Sequence, residues 1–295
     1  MALRTTITER QRRLGSELRK LREQAGLTVS DSAASIGMGR VHLTHVEAGR
    51  TAISTERLHG LCASYGCTSS TYVDALVCLS EAKGKGWWSP YKGKLPTAAL
   101  DLAEMEASSE DLRSYESLFI PGLFQTEDYT RSVFQASDTV ATTEGVDTSV
   151  RFRMQRQALL TREDSPKVHA VIHEAALHVR FGGTNVMRRQ LLHLVELADL
   201  PNVTIQVLPF TAKAVSALNT PFCLLTSHSG ALETVQLDHP EQSLYLHAPD
   251  AVARYRRQFE RLRTNALPPV NARATPVSHD SRDSLGLIQY VLYTL

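Results

Sequence analysis

The stretch Leu27–Arg50, LTVSDSAASIGMGRVHLTHVEAGR, decides how the first part of the chain folds. Its periodicity predicts two short helices joined by a tight turn. Thr28, with Asp31 three positions on, is placed to cap the first helix. Ala33 and Ile36 supply that helix's apolar side, and Gly37 permits the left-handed backbone that ends it. The second helix runs from Arg40 to Glu47, with Leu43 and Val46 inward and Arg40, Val41, Thr44 and His45 outward. Gly49 stops it. Two crossing helices with small residues at the elbow make a helix-turn-helix, whose second helix is free to enter a major groove.

The flanking residues extend this pattern. Residues 10–25 form a helix with Leu14, Leu18 and Leu21 on one face, and Arg19 or Arg22 can pair with Glu47. Ser54 caps a helix carrying Leu58, Leu61 and Cys62, which Gly66 ends. Thr68 to Ala82 reads as a fifth helix through Tyr72, Leu76 and Leu79. In this order and spacing, Leu14, Gly15, Leu18, Arg19, Leu21, Arg22, the Gly26-Leu27-Thr28 run, Ala33, Gly37, Leu43, Val46, Glu47, Gly49 and Arg50 resemble the lambda-repressor-like (XRE) DNA-binding domain. The resemblance covers residues 12–80 and implies operator binding, with a structural role for Glu47. Val29 stands where that family places Gln, and Gly39 where it places Ser or Thr. Those two family roles are not carried over.

The chemistry expected of the exposed helix follows from its side chains. Arg40 can clamp guanine O6 and N7, Val41 can press on a thymine methyl, and Thr44 and His45 complete a base-reading set. Thr28, Arg50 and Ser54, at loop or helix-start positions, are candidates for phosphate contacts. A single helix-turn-helix reads few base pairs, so a homodimer on double-stranded operator DNA is the expected assembly.

A chain of 295 residues exceeds one such domain, and a second domain of about 200 residues is expected. The net charge of +1 excludes a general polycation. The basic bias is local, in Arg4, Arg10, Arg12, Arg13, Arg19, Lys20 and Arg22, either as sequence-independent attraction to phosphate or as a solvated helix face. The four cysteines, Cys62, Cys67, Cys78 and Cys223, form no C-x-x-C pair, which argues against a disulfide framework or zinc site. No apolar run suits a membrane span and the N-terminus lacks a signal-peptide core, so a reduced, cytoplasmic protein is expected.

Residues 83–96, rich in Gly, Pro and Lys and carrying Trp87 and Trp88, read as a linker. The tryptophans either pin two domains together or offer a basic, aromatic contact to DNA or a partner. Beyond them the chain alternates. Thr97–Ala107 is helical, Leu112–Leu123 extended, Thr126 opens a helix, Ala136–Asp147 is a polar loop, and Val150–Leu160 is a basic helix. Strands are expected at Lys167–Ile172, Val203–Leu208, Phe222–Thr226, Glu233–Leu237 and Ser243–His247. A helix capped by Thr184 carries Met187, Leu191 and Leu194, and a long one carries Val252, Tyr255, Phe259, Leu262 and Ala266. The expectation is a multidomain chain: an all-α five-helix domain at 1–82, a linker, an α+β domain at 97–267 with a small, mainly antiparallel sheet, and a tail at 268–295.

The blocks PGLFQTEDY (Pro121–Tyr129), RMQRQALL (Arg153–Leu160), IHEAAL (Ile172–Leu177) and LPNVTIQVLPF (Leu200–Phe210) are similar to the C-terminal domain of actinobacterial WhiJ-like regulators. That resemblance implies a regulator of development or specialised metabolism, often paired with a small acidic partner protein. The best candidates for binding a small-molecule effector or partner are Gln125, Thr126, Tyr129, Arg151, Arg153, Arg156, His169 and His173. His42 with His45, or His169 with His173, lacks a third ligand at metal-binding spacing, so no metal or cofactor is expected. His173-Glu174 offers an acid and a base, but no nucleophile elbow or phosphate loop accompanies it. A non-enzymatic domain is expected; a DNA-tethered enzyme and an antitoxin-like module are the alternatives.

Overall fold

A computed structural model describes residues 3–4, 6–81, 86–137, 142–213, 220–227, 230–238, 243–271 and 283–295. The chain divides into two compact units. The first comprises 1–92, 96–108 and 226–233; the second comprises 93–95, 109–225 and 234–295.

In the first unit α1 (Glu9–Gln24), α2 (Val29–Ser35), α3 (Arg40–Glu47), α4 (Thr55–Ser64) and α5 (Ser70–Glu81) follow the sequence pattern within a residue or two. The punctuation is as expected. The Thr28 hydroxyl accepts from the Asp31 N–H, Ser54 accepts from the Arg57 N–H, and Gly37 and Gly49 have positive φ. Leu14, Leu18, Leu43, Val46, Leu58, Leu61 and Leu76 form the core, and Leu232 and the partly buried Ala231 join it. Trp87 and Trp88 meet edge to face and Trp87 also meets Tyr91, all within this unit. Residues 83–85 of the expected linker lie outside the described residues. α6 (Thr97–Ala107), read from the sequence as the start of the second domain, belongs to the first unit instead.

The second unit is built on a sheet of six strands in the order β3-β2-β1-β4-β5-β6. These are β1 (Ser109–Glu116), β2 (Lys167–His173), β3 (Val203–Leu208), β4 (Phe222–Ser227), β5 (Glu233–Leu237) and β6 (Leu244–Leu246), the ends of β4 and β5 nearest their connection clustering with the first unit. β1 runs parallel to β2 and β2 parallel to β3, whereas β5 and β6 are antiparallel. The sheet is therefore mixed, with a parallel β1–β2–β3 part that the strand patterns alone do not announce. The reason lies in the connections. α7 (Glu127–Gln135) and α8 (Thr143–Arg156) separate β1 from β2, and α9 (Ala175–His178) and α10 (Thr184–Leu197) separate β2 from β3. Helical crossovers return the chain to the same end of the sheet, and parallel pairing follows.

α8 begins inside the stretch expected to be a polar loop, because Thr142 caps it through the Gly145 N–H. α11 (Pro249–Asn265) covers one sheet face, with Phe259 and Leu262 packed against Tyr115, Val171, Phe222 and Val235. The expected tail contains α12 (Ser284–Thr294), an integral part of the unit. Its Ile288 and Val291 are buried, and the Ser284 hydroxyl accepts from the Val207 N–H at 2.9 Å. No helix among the described residues is long and apolar enough to cross a membrane.

Candidate nucleic-acid interface

α3 is held from behind and open in front. Leu43 and Val46 are buried beneath it, while Arg40, Val41 and Thr44 are exposed, Val41 retaining 69% of its surface. His45 is half-buried. Gly39 caps the helix without a side-chain hydrogen bond, so the Ser or Thr contact of the resembled family has no counterpart. The Thr44 hydroxyl donates to the Arg40 carbonyl at 3.1 Å, leaving its oxygen lone pairs and methyl group to face outward.

Two contacts fix the position of α3. Arg22 grips Glu47 with both ends of its guanidinium fork, Nε to Oε1 at 2.6 Å and Nη2 to Oε2 at 3.0 Å, and Nη1 reaches the Leu27 carbonyl at 3.0 Å. The hydrogen bond to Glu47 raises the Arg22 pKa above its ordinary value. The sequence left Arg19 and Arg22 as alternatives; Arg19 pairs with Glu23 instead. The second contact is steric. α1 crosses α3 so closely that a Cβ on Gly15 would lie 2.4 Å from the Glu47 carbonyl oxygen.

Thr28, Arg50 and Ser54 are all exposed at helix starts or loops of this unit. Thr28 also donates to Asp31 Oδ2 at 2.6 Å, which leaves its hydroxyl doubly engaged. The Arg40 and Arg50 side chains make no ion pair among the described residues. The basic cluster at the N-terminus is different from its sequence reading. Arg10, Arg13 and Arg22 are buried and paired with Glu104, Glu17 and Glu47. Burial lowers the Arg13 pKa, with Glu17 opposing that shift. These three cations hold the fold together and offer little to phosphate.

In the second unit the eight candidate residues fall into separate groups. Gln125 is 2% exposed and fully engaged. Its Nε2 donates to the Ile120 carbonyl at 2.7 Å, and its Oε1 accepts from Thr130 at 3.1 Å and from Arg153 at 2.7 Å. Its own carbonyl accepts from Gln157 at 2.6 Å. Thr126 caps α7, and its N–H donates to Gln190 Oε1 at 2.7 Å. The buried Tyr129 hydroxyl accepts from the Ile120 N–H, and burial pushes its pKa to about 12. The polar atoms of this motif thus fasten a loop between β1 and α7. Arg153 also lies over the Phe134 ring, 4.6 Å from its centroid. Arg156 packs against Gly122, where no Cβ stands in its way.

His169 and His173 do not join that group. Register pairs His169 with Arg113 and Val171 with Tyr115, which puts both histidines on the α11 face of the sheet. His169 Nε2 bonds Gln206 Oε1 at 2.7 Å and its ring meets Phe259 edge-on; His173 Nδ1 accepts from the Ala175 N–H. Burial lowers both imidazole pKa values, so both are neutral at neutral pH. Glu174, the acid expected beside His173, accepts from the Phe210 N–H at 2.7 Å and lies 3.7 Å from His178. Among the described residues no group of three or more His, Cys, Asp or Glu is placed to hold a metal ion.

Comparison with known proteins matches residues 13–76 to a helix-turn-helix domain. Residues 99–275, more than half of the chain, match the domain of unknown function DUF5753. The chain belongs to the DUF5753 family. Its helix-turn-helix domain, which contains α3, is that of a DNA-binding regulator. No curated protein and no solved structure matches it.

The DUF5753 region contains two features that sequence reasoning missed. A groove of about 320 Å³ runs between α7 and α8, lined by Glu127, Arg131, Asp147, Val150, Arg151 and Met154, so one expected residue, Arg151, opens onto it. Arg131 bridges the two helices to Glu127 and Asp147. The second feature is Glu116, at the end of β1 on the face opposite Tyr115. Burial pushes its pKa up to about 8, Asp238 adds to that, and Arg153 and Arg156 oppose it. A glutamate closing an otherwise polar strand gives no sequence signal of such an environment.

Proposed function

We propose that this DUF5753 protein is a cytoplasmic, sequence-specific transcription regulator of the XRE type, acting as a homodimer on operator DNA. The observation that carries the reading is the mounting of α3. Its inner side is fixed by Leu43, Val46 and the Arg22–Glu47 pair, while Arg40, Val41 and Thr44 face outward at its open N-terminal end. Rigid support behind, with the Arg40 guanidinium and the Val41 and Thr44 methyl groups in front, suits direct readout, in which each good bidentate contact discriminates by about 1–3 kcal/mol. His45 extends the reading face, and Thr28, Arg50 and Ser54 contact phosphate.

The DUF5753 region, in this reading, is not an enzyme. It binds an effector or a small acidic partner protein and so changes DNA affinity in the control of development or specialised metabolism. The α7–α8 groove beside Arg151 supports this better than the QTEDY loop, whose polar atoms are already engaged.

The test is Arg40→Ala in the full chain, against operator DNA recovered from a random-sequence pool. Specific affinity falls by about tenfold or more while the salt dependence barely changes. An equal loss on all sequences would overturn base reading by Arg40.

A further inference from the structure

α6 opens the region that defines the family, yet it belongs to the unit that carries the recognition helix. Its buried face is inverted. Asp101, Ala103, Glu104 and Glu106 are its buried residues, whereas Leu100, Leu102 and Met105 keep part of their surface in solvent. Arg10 of α1 answers this acidic face. Its Nε donates to Glu104 Oε1 at 2.9 Å with both side chains 5% exposed, and its Nη1 donates to the Leu79 carbonyl. Asp101 accepts a hydrogen bond from the Glu9 N–H in the first turn of α1, where the helix dipole favours a carboxylate. Burial nevertheless pushes its pKa up to about 6; the charged groups facing it are Glu9 and Arg12 of α1 and Glu104 of α6.

An interface of this composition is releasable. Charged surfaces are well hydrated when apart, and a buried ion pair gains little over an apolar replacement of the same shape. Docked and undocked states of α6 therefore differ less in free energy than a greasy seam would make them, which is the condition for a population shift. Movement of α1 cannot leave α3 untouched, since Gly15 and Arg22 bind the two helices together. On its other side only Ser108 separates α6 from β1 along the chain.

We propose that α6 is a releasable clamp on the DNA-binding unit, with Glu104 and Asp101 as positioning residues that act through α1 on the recognition helix. It is the element through which the DUF5753 region changes DNA affinity. This rests on the reading of the chain as a DNA-binding regulator controlled from its second region.

Hydrogen exchange on the full chain tests the clamp without needing DNA, and operator binding tests its consequence. Glu104→Gln speeds exchange by about tenfold in Glu9–Gln24 and Arg40–Glu47, leaves β1–β3 unchanged, and weakens operator binding by about fivefold. The pair Arg10→Leu with Glu104→Leu makes the seam apolar, so α3 exchanges more slowly than in the wild type and operator affinity is retained. Protection of α3 in the wild type falls as pH rises through about 6, and Asp101→Asn abolishes that dependence. Faster exchange confined to α6, with α3 and operator affinity unmoved, overturns the clamp. If Glu104→Gln does not fold, wild-type exchange in the double variant overturns it equally. A wild-type protein that enriches no DNA sequence refutes the regulator reading, while the exchange comparison still decides the clamp.

Discussion

Replacing Gly15 with Ala sets two effects of opposite sign against each other. In mid-helix, Ala is favoured over Gly by about 1 kcal/mol, so helix propensity alone calls for a more stable protein. The crossing with α3 says otherwise. The new Cβ would stand 2.4 Å from the Glu47 carbonyl oxygen and 2.8 Å from that of Val46, against 3.4 Å for ordinary contact. Both neighbours are backbone, with no rotamer to turn aside, so α1 and α3 must separate by about 1 Å. Overpacking of this kind costs about 1–3 kcal/mol, and the rigid neighbours place it at the upper end. A 1 Å gap also forfeits up to half of the dispersion attraction across the seam. After the propensity gain, a net loss of about 2 kcal/mol remains, or roughly 10 °C in Tm for a unit of this size. Thermal denaturation checks it, with Gly60→Ala in α4 for comparison, since there the Cβ meets the Ile36 side chain at 2.9 Å and no backbone atom. A Gly15→Ala protein as stable as the wild type, or more so, would show that α1 and α3 do not approach as described.

Three further outcomes follow from the same reasoning. Glu47→Gln leaves the Arg22 guanidinium buried without its anion and destabilises the first unit by about 3 kcal/mol, read as a lowered urea midpoint; no change would mean that Glu47 contributes nothing to holding α3. Gln125→Leu strips partners from the Ile120 carbonyl, Thr130 and Arg153, costing about 3 kcal/mol and exposing the loop before α7 to protease; unaltered protease resistance would refute its role as a fastening. Glu116, with its folded pKa raised to about 8, holds its proton more firmly in the folded state than in the unfolded one. Stability of the second unit therefore falls as pH rises from about 4.5 to about 8 and levels off above; Glu116→Gln removes that slope, and parallel pH curves for the two proteins would contradict the assignment.

The helix-turn-helix was legible because its signals are local. Thr28, Ser54, Gly37 and Gly49 each impose a cap or a stop within a few residues of where they stand, and the structure uses every one. β1 was only half legible. Ser109, Leu112 and Tyr115 are its buried residues, a spacing of three that imitates a helix, with polar residues between. The parallel half of the sheet was missed because strand patterns carry no record of pairing direction; only the intervening helices decide it. Charge was the most misleading signal. Arg10 reads as a surface cation until Glu104, 94 residues away, is brought against it. Gln125 likewise reads as an exposed polar residue in a binding loop, because nothing local distinguishes a buried amide with every partner supplied from one awaiting a ligand. The two histidines of β2 share a sheet face with Val171 and Tyr115 instead of joining Gln125 and Arg153, and only the strand register reveals that face.

The connection between β4 and β5 bears on the order in which the protein can be made. Leu232 and Ala231 lie in the hydrophobic core of the first unit, although that unit's helices are complete by residue 107. A ribosome adding about 5–20 residues per second takes on the order of 10 s to travel from the end of α6 to residue 233. Through that interval α3 exists on an unfinished core. The core beneath α3 is therefore completed late in synthesis, when most of the DUF5753 region has already been made.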